Sequence, residues 1–271
     1  MTFSWLKGHG TENDFVLLPD ADGSVHGALD PAFVAALCDR RRGIGADGVL
    51  RVIRTEAMRA IDPAVPESDA EWFMDYRNSD GSLSEMCGNG IRVFAKHLID
   101  HGLATSPAVI GTRAGDRLVT ANDQGTYSVE MGVAEVRGAS KITTAEGRTF
   151  EVTDVRVGNP HAVAVVASLS DAGTLLQEPD YDHGVYPDGV NIEFVEVLDA
   201  DRIAVRIHER GSGETRSCGT GAVAAAVAHG AEQTTVEVPG GSLQVTRRSD
   251  GGTVLTGPAE IVAQGEIAWL A

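Results

Sequence analysis

Two short segments of the chain share one pattern, which is a cysteine, a Gly-x-Gly turn and then an apolar run. The first occupies residues 87–90 (CGNG) and the second residues 218–221 (CGTG). After the first, apolar side chains recur at helical spacing, and after the second nearly every residue is alanine or valine. We therefore predict that a helix begins at each cysteine and that the second helix is buried on every side.

A cysteine at a helix start has a particular chemistry. The unpaired backbone N–H groups and the positive end of the helix dipole favour an anion there. Such a thiol has a lowered pKa, so Cys87 and Cys218 are predicted to be activated thiols beside anion sites. A lone cysteine is usually a core residue, but packing alone does not explain two copies of this pattern. Cys38 has no neighbouring glycines and lies in an apolar helical segment, so we predict that it is a core residue.

Composition limits the classes of function. A length of 271 residues suits two domains of ordinary size. The net charge of −17 argues against nucleic acid and against anionic membrane surfaces as partners. Three cysteines form no even disulfide framework, the first residues lack a signal-peptide pattern, and no apolar run approaches a membrane span. We expect a cytoplasmic protein with reduced thiols.

The order of local signals repeats along the chain. Short predicted strands at 15–18, 49–52 and 72–77 precede Cys87, and a similar succession from residue 155 onward precedes Cys218. This predicts two similar halves related by a pseudo-two-fold axis, each a sheet around a central helix, with the ligand site in the cleft between them. We place the first domain at 1–117, with 264–271 returning to it, and the second at 118–263.

Three further segments carry local predictions. Asp30 and Pro31 predict the start of a helix that runs through Arg40. Residues 55–71 are predicted to be irregular, and residues 112–120 to be the crossover between the halves.

Two thiols that face one ligand from opposite sides suit removal of a proton from one face of a carbon and its delivery to the other. That is the chemistry of an epimerase or racemase. A hydrolase of the Cys–His type needs one thiol and would leave the other idle. A structural zinc site favours Cys-x-x-Cys spacing, which the sequence lacks.

Eight motifs together resemble those of the diaminopimelate epimerases over almost the whole chain. They are residues 13–15 (NDF), 43–48 (GIGADG), 78–81 (NSDG), 86–90 (MCGNG), 158–161 (GNPH), 189–191 (GVN), 209–215 (ERGSGET) and 218–221 (CGTG). The resemblance implies two similar α/β domains, each an antiparallel barrel-like sheet around a central helix. It also implies interconversion of LL- and meso-diaminopimelate, for lysine and peptidoglycan synthesis, without pyridoxal phosphate or metal, by a protein that we expect to be a homodimer.

The resemblance also implies roles for individual residues. One of the two cysteines acts as thiolate base and the other as thiol acid. Backbone N–H groups that hold the reacting carboxylate are implied at Gly88, Asn89, Gly219 and Thr220. Polar contacts to the substrate are implied at Asn13, Asn78, Asn159, Asn191 and Glu209. Arg210 matches the partner of the distal carboxylate, and His161 and Glu209 match residues that tune the thiols.

The sequence departs from the family pattern at two places. The loop before Asn13 is longer by one residue than the commoner form, and Gly48 stands where many members carry glutamine. Two alternatives remain open at this point. One is a proline or hydroxyproline racemase, whose substrate lacks the second carboxylate that Arg210 would bind. The other is a non-catalytic anion-binding module, which has no need of cysteine at both helix starts.

Overall fold

The computed structural model describes residues 2–269, and these residues form a mixed α/β protein in which strands outnumber helices. The fold class is therefore confirmed. The strands are β1 (Thr2–Gly10), β2 (Asn13–Pro19), β3 (Gly48–Arg54), β4 (Trp72–Asn78), β5 (Ala108–Gly111), β6 (Arg117–Ala121), β7 (Thr126–Val133), β8 (Glu135–Thr143), β9 (Thr149–Val157), β10 (Asn159–Val166), β11 (Asp180–Tyr181), β12 (Asn191–Asp199), β13 (Arg202–Glu209), β14 (Gly213–Thr215), β15 (Gln233–Val238), β16 (Gly241–Arg247), β17 (Gly252–Pro258) and β18 (Glu260–Ala268). The helices are α1 (Pro31–Cys38), α2 (Thr55–Ile61), α3 (Gly88–Asp100) and α4 (Gly219–His229), with a 3-10 turn at Leu169–Ala172.

The chain forms two compact units. The first contains residues up to Val129 and from Pro258 onward, and the second contains Glu130–Gly257. The sequence-based boundaries at 117/118 and 263/264 stay a prediction of domain organisation. Three residues of the predicted first domain, at positions 1, 270 and 271, lie outside the described residues.

The first unit is built on eight paired strands in the order β18-β1-β2-β3-β4-β5-β6-β7. The successive pairs are antiparallel, antiparallel, parallel, antiparallel, parallel, antiparallel and antiparallel. The last strand, β18, thus pairs with β1 at the other end of the chain. Helix α3 packs on β1, β2, β3, β6 and β18.

The second unit has the same succession of pairings in the order β8-β9-β10-β12-β13-β15-β16-β17. Its two short extra strands, β11 and β14, pair with β8 and β13. Helix α4 packs on β9, β10, β12, β13, β15 and β16. Each unit therefore repeats one plan, in which a mainly antiparallel sheet packs on the helix that follows a cysteine.

The two central helices are buried in different ways. Along α4 the small residues Ala222–Ala226 are all fully buried, which confirms the prediction of a helix enclosed on every side. Small side chains allow strands to approach this helix closely from several directions. Helix α3 buries larger side chains, among them Ile91, Phe94 and Leu98. None of the helices in residues 2–269 is both long enough and apolar enough to cross a membrane.

Helix α1 begins as predicted, since the Asp30 side chain accepts a hydrogen bond from the Ala32 N–H at 2.9 Å. It ends at Cys38 rather than at Arg40, so the predicted end was wrong. The cause is Asp39, whose carboxylate accepts the backbone N–H groups of Arg41 and Arg42 and turns the chain. Cys38 is buried in the core of the first unit, as predicted.

Two of the segment predictions need correction. Part of the segment 55–71 is the helix α2, because Met58 and Ile61 lie one turn apart and pack on Ile53 and Phe73. A two-turn helix is too short to give a clear periodic signal. Residues 117–120 of the predicted crossover belong to β6, which pairs with both β5 and β7.

Candidate active site

Each predicted thiol caps its helix. Cys87 has an extended backbone, and its Sγ accepts a hydrogen bond from the Gly90 N–H at 3.3 Å. Cys218 caps α4 in the same way through the Gly221 N–H at 3.4 Å. The prediction that a helix begins at each cysteine is confirmed. The other N–H groups of the first turn have no partner within the helix, so each helix start can hold an anion.

The glycine three residues after each cysteine is required by its neighbours. A Cβ on Gly221 would stand 2.8 Å from the Glu193 carboxylate and 3.1 Å from Ile207. A Cβ on Gly90 would stand 3.2 Å from Leu50 and 3.4 Å from Phe15. The second glycine of each Gly-x-Gly turn therefore allows side chains from the sheet to approach the cysteine.

In the first unit, Cys87 belongs to what we call the first cysteine cluster, formed with Asn13, Asp47 and Asn89. The Asn13 Oδ1 lies 3.6 Å from the Cys87 Sγ and accepts a hydrogen bond from the Asn89 Nδ2 at 3.2 Å. The Asn13 Nδ2 donates to the Asp47 carboxylate at 2.9 Å. Because a carboxylate only accepts, Asp47 fixes the amide of Asn13 with its oxygen toward Cys87.

A network of charges supports Asp47. Arg40 binds the carboxylate of Asp14 through two hydrogen bonds of 2.9 and 2.8 Å and that of Asp47 at 2.7 Å. Lys7 lies 2.7 Å from Asp14 on another side. Burial opposes the ionisation of Asp14, but Arg40 and Lys7 outweigh it and hold the pKa of that carboxyl well below its ordinary value. Arg40 is thus a structural partner of both carboxylates, although its own side chain is largely exposed.

In the second unit, the second cysteine cluster contains Asn159, His161, Glu193, Glu209, Cys218 and Thr220. The His161 Nδ1 lies 2.7 Å from the Glu193 Oε1, and its Nε2 lies 2.9 Å from the Asn159 Oδ1. The Asn159 Nδ2 donates toward the Thr220 Oγ1 at 3.5 Å, and that hydroxyl lies 3.4 Å from the Cys218 Sγ. The amide of Asn159 therefore presents its nitrogen toward the helix start, whereas that of Asn13 presents its oxygen.

The thiol of Cys218 differs from the prediction. Burial raises its pKa well above the ordinary value, and the nearby carboxyl of Glu209 raises it further. Hydrogen bonds from Thr220 and the Gly221 N–H oppose this but do not reverse it. The prediction of a lowered pKa at Cys218 was wrong, because desolvation of the thiolate outweighs the helix terminus. Burial also raises the pKa of Glu209, which holds the Thr215 hydroxyl at 2.6 Å and accepts a hydrogen bond from Cys218.

Asn191 and Arg210 are tied together in the second unit. The Asn191 Nδ2 donates to the Pro160 carbonyl at 3.2 Å, and its Oδ1 accepts the Arg210 N–H at 3.0 Å. The exposed guanidinium of Arg210 donates to the Asp188 carbonyl at 2.7 Å. The polar atoms of Asn191 thus hold the backbone from which Arg210 projects.

The remaining predicted asparagine lies in the first unit. Asn78 ends β4, and its Nδ2 donates to the Ser82 Oγ at 2.9 Å across the predicted turn. This contact fixes the turn, so the structure assigns Asn78 a local role there.

Sequence reasoning missed Glu193, Asp47 as a side-chain partner, and the buried Arg92 of α3. For Glu193 and Arg92, the sequence did contain a signal, which is a charged residue with apolar neighbours. Glu193 is a charged residue between the apolar residues Ile192 and Phe194, and Arg92 lies among the apolar residues of α3. Charge is costly in such places unless it has a function or a partner.

Within residues 2–269 no group of three or more His, Cys, Asp or Glu side chains is arranged to hold a metal ion.

Comparison with solved structures defines the class of fold. A hydroxyproline epimerase from Agrobacterium vitis covers 98% of this chain, and 92% of its own chain is covered, at a TM-score of 0.67 and 14% identity. A predicted epimerase from Pseudomonas aeruginosa covers 99% of this chain and is covered completely, at a TM-score of 0.66 and 14% identity. A phenazine biosynthesis protein of the PhzF family from Bacillus anthracis has a TM-score of 0.65. At such low identity these likenesses concern the fold alone, which this chain shares with all three structures.

Sequence comparison is more specific. The family model of diaminopimelate epimerase matches residues 5–137 and 153–262. The diaminopimelate epimerase of Streptomyces coelicolor is 49% identical over 98% of this chain and 96% of its own length. That of Corynebacterium glutamicum is 45% identical over 98% of this chain and 99% of its own length. The chain belongs to the diaminopimelate epimerase family.

Proposed function

We propose that this protein interconverts LL- and meso-2,6-diaminopimelate, in the synthesis of lysine and of peptidoglycan precursors. The observation that carries the proposal is the identity of 45–49% to diaminopimelate epimerases over nearly the whole of both chains. The enzyme is an isomerase. Its substrate is a small molecule with two chiral carbons, each of which carries an amino group and a carboxylate. Arg210, whose guanidinium is exposed, is the candidate partner for the distal carboxylate.

The proposed mechanism uses both cysteines and no cofactor or metal. The thiolate of one cysteine removes the α-proton and becomes a thiol. The electron pair left on carbon spreads onto the adjacent carboxylate, where N–H donors of a helix start stabilise it best. The thiol of the other cysteine then delivers its proton to the opposite face of the carbon and becomes a thiolate. The configuration is inverted, and the protons balance.

The donors proposed for the reacting carboxylate are the N–H groups of the two helix starts, at Gly88, Asn89, Gly219 and Thr220. Asn13 and Asn159 present an amide oxygen and an amide nitrogen beside the cysteines. An oxygen suits the α-ammonium group of an amino acid, and an N–H suits its carboxylate. The two asparagines therefore supply complementary contacts, with Asn78 and Asn191 supporting the surrounding backbone.

The reaction is tested by α-proton exchange. Purified protein and LL-diaminopimelate in D₂O should give meso-diaminopimelate that carries deuterium at the inverted centre. The control substrates are L-proline and trans-4-hydroxy-L-proline, which address the racemase alternative. Exchange with these substrates, and none with diaminopimelate, would reassign the substrate. Tight binding of diaminopimelate without any exchange would favour the anion-binding module.

Three further proposals have tests of their own, namely that the reaction needs no cofactor, that the protein is a homodimer and that it is cytoplasmic. The absence of a cofactor predicts full activity after dialysis against a chelator and treatment with hydroxylamine, and activity restored only by pyridoxal phosphate or metal would contradict it. A homodimer predicts twice the mass of 28.4 kDa in light scattering. A cytoplasmic location, with neither nucleic acid nor membrane as partner, predicts recovery of the native protein in the cytosolic fraction.

A further inference from the structure

The side-chain amide of Asn13 has a fixed orientation beside Cys87. Its Nδ2 donates to the Asp47 carboxylate at 2.9 Å, and a carboxylate can only accept. Its Oδ1 accepts a hydrogen bond from the Nδ2 of Asn89 at 3.2 Å. Both ends of the amide therefore require the same orientation, with the oxygen toward the start of α3.

The carboxylate that fixes this amide is itself held in place. Besides Asn13, the Asp47 Oδ2 accepts the backbone N–H of Asp14 at 3.2 Å, and the Oδ1 accepts the Nη2 of Arg40 at 2.7 Å. The backbone N–H of Asp47 donates to the Asp14 Oδ1 at 3.1 Å. Rotation of the Asp47 side chain would break several of these bonds at once, so the orientation of Asn13 is set by a rigid neighbour.

The same oxygen of Asn13 is the acceptor for the thiol of Cys87. The Cys87 Sγ lies 3.6 Å from the Asn13 Oδ1, a distance at which the large sulfur atom of a sulfhydryl still donates. An amide oxygen has no hydrogen to give. The contact is therefore a hydrogen bond only while Cys87 carries its proton, and a thiolate would face the negative end of the amide.

Other groups near the start of α3 also act on the ionisation of Cys87. The Gly90 N–H donates to the Cys87 Sγ at 3.3 Å, and the charge of the buried Arg92 attracts a thiolate. Charged and titratable groups on the neighbouring segments are Lys7 and His9 on β1, Glu12 in the turn after it, Asp14 on β2, and Arg40 and Asp47 before β3. Asn13→Ala leaves all these groups in the chain, so it isolates the hydrogen bond to the thiol.

We propose that Asn13, fixed by Asp47, holds Cys87 in the thiol form in the substrate-free protein. This differs from the sequence-based expectation of an activated thiol at Cys87. The consequence for catalysis rests on the proposed function. The α-ammonium group of diaminopimelate is a charged donor and therefore stronger than S–H, so it takes the Asn13 oxygen and frees the Cys87 thiol for proton transfer.

The test follows the alkylation of each cysteine by iodoacetamide in the substrate-free full-length protein, between about pH 6 and pH 10, with mass spectrometry of the peptides. The pH of the half-maximal rate reports the ionisation of a thiol, and the plateau at high pH reports its accessibility. In the wild type the midpoint of Cys87 should lie above about pH 8. In Asn13→Ala it should fall by about half a pH unit to one unit, because a hydrogen bond that only the thiol makes is lost.

Asp47→Ala tests whether the fixed orientation matters. Asn13 stays, but its amide can turn and present the N–H group to the sulfur, so the midpoint of Cys87 should again fall. The substitution also removes a negative charge. In the Asn13→Ala background it should therefore have almost no further effect if Asp47 acts through the amide. Additive shifts would show that Asp47 acts as a charge and would overturn its part in the proposal.

Two internal controls are present in every variant. Cys218 lies in the second unit and should keep its own midpoint. Cys38 is buried, so its protection reports that the variant is folded.

Two further outcomes overturn the proposal. One is an unchanged or raised midpoint of Cys87 in Asn13→Ala with Cys38 protected. The other is a wild-type midpoint below about pH 7, which would show that Cys87 is already a thiolate and which decides even if Asn13→Ala fails to fold. The readout needs no substrate. A protein with the expected midpoints but no exchange of diaminopimelate would refute the proposed function and leave the thiol form of Cys87 standing.

Discussion

The Nδ1 of His161 lies 2.7 Å from the Oε1 of Glu193, and both side chains are fully buried. The other ring nitrogen of His161 faces the carbonyl oxygen of Asn159, which can only accept, so it carries a proton. The pair therefore holds two protons between its members and has no net charge. A neutral pair is the form that burial favours beside the carboxyl of Glu209. The Nε2 of His161 holds the oxygen of the Asn159 amide, so the nitrogen of that amide faces the Thr220 hydroxyl. That hydroxyl in turn lies next to the Cys218 Sγ.

The first prediction concerns the stability of this pair. Burial raises the pKa of Glu193 above its ordinary value of 4.5, although His161 opposes the shift. The folded state therefore keeps a proton that the unfolded state releases. Its contribution to stability is complete below pH 4.5 and is lost as the pH rises through the pKa of the folded state.

Glutamine resembles the protonated carboxyl and does not titrate. Glu193→Gln should therefore be destabilised less than Glu193→Ala, for which we expect a loss of about 1–3 kcal/mol. The difference in unfolding free energy between the wild type and Glu193→Gln should shrink as the pH rises above 4.5. Urea unfolding at several pH values measures it, with the exposed Glu151→Gln as control. A difference that grows with pH would show that Glu193 is ionised in the folded protein.

The second prediction concerns the two thiols of the proposed mechanism. Cys87→Ser and Cys218→Ser should each lower the epimerisation rate by at least about 10²–10⁴, because serine is a far weaker acid than cysteine. The double variant should lose little more than either single variant, since the two thiols act as a unit. Cys38→Ser should keep the turnover of each folded molecule. The rates are measured with LL- and meso-diaminopimelate, and near wild-type epimerisation in either single variant would refute the two-base mechanism.

The remaining thiol in each single variant offers a finer measurement. It can still remove the proton that it faces, so each variant should retain slow exchange with one stereoisomer of a substrate analogue. The two variants should prefer opposite isomers. The same preference in both would mean that the cysteines act on one face of the carbon.

The third prediction concerns Glu209 as a residue that tunes Cys218. Burial is the first cause of the raised pKa of that thiol, and the carboxyl of Glu209 is the second. Glu209→Gln removes the charge and keeps the shape, so alkylation of Cys218 should shift to lower pH and become several-fold faster at pH 8. Glu193 also raises this pKa, and burial is unchanged, so the shift should be partial. An unchanged alkylation rate at Cys218 would show that Glu209 carries no charge in the folded protein, because glutamine then replaces a neutral group of the same shape.

The fourth prediction concerns Asp47, which holds the amide of Asn13 in one orientation. Asp47→Ala should lower kcat/KM about tenfold, which corresponds to about 1.4 kcal/mol and to the loss of one hydrogen bond to a charged group. In the Asn13→Ala background the same substitution should have almost no further effect, because Asp47 acts through Asn13. Glu67→Ala is the control, since it removes an exposed carboxylate of the same unit. Additive losses would show that Asp47 acts by another route.

Several of these features could be predicted from the sequence because they depend on contacts within a few residues. A cap forms between a cysteine and the N–H three residues later, so residues 87–90 and 218–221 alone locate both helix starts. The core position of Cys38 follows from its apolar neighbours. The end of α1 and the existence of α2 were missed, because a single carboxylate turn and a two-turn helix leave only weak periodic signals.

Tertiary structure decided the chemistry around each cysteine. Glu193 and His161 are 32 residues apart and Asp47 and Asn13 are 34 apart, and the strands β12, β10 and β2 bring them together. The motif at Cys218 predicts a lowered pKa from the helix start, yet burial by the surrounding strands raises it. The sequence determined where the thiols lie, since capping is local. Their ionisation depends on desolvation and on distant charges, which exist only after the chain has packed.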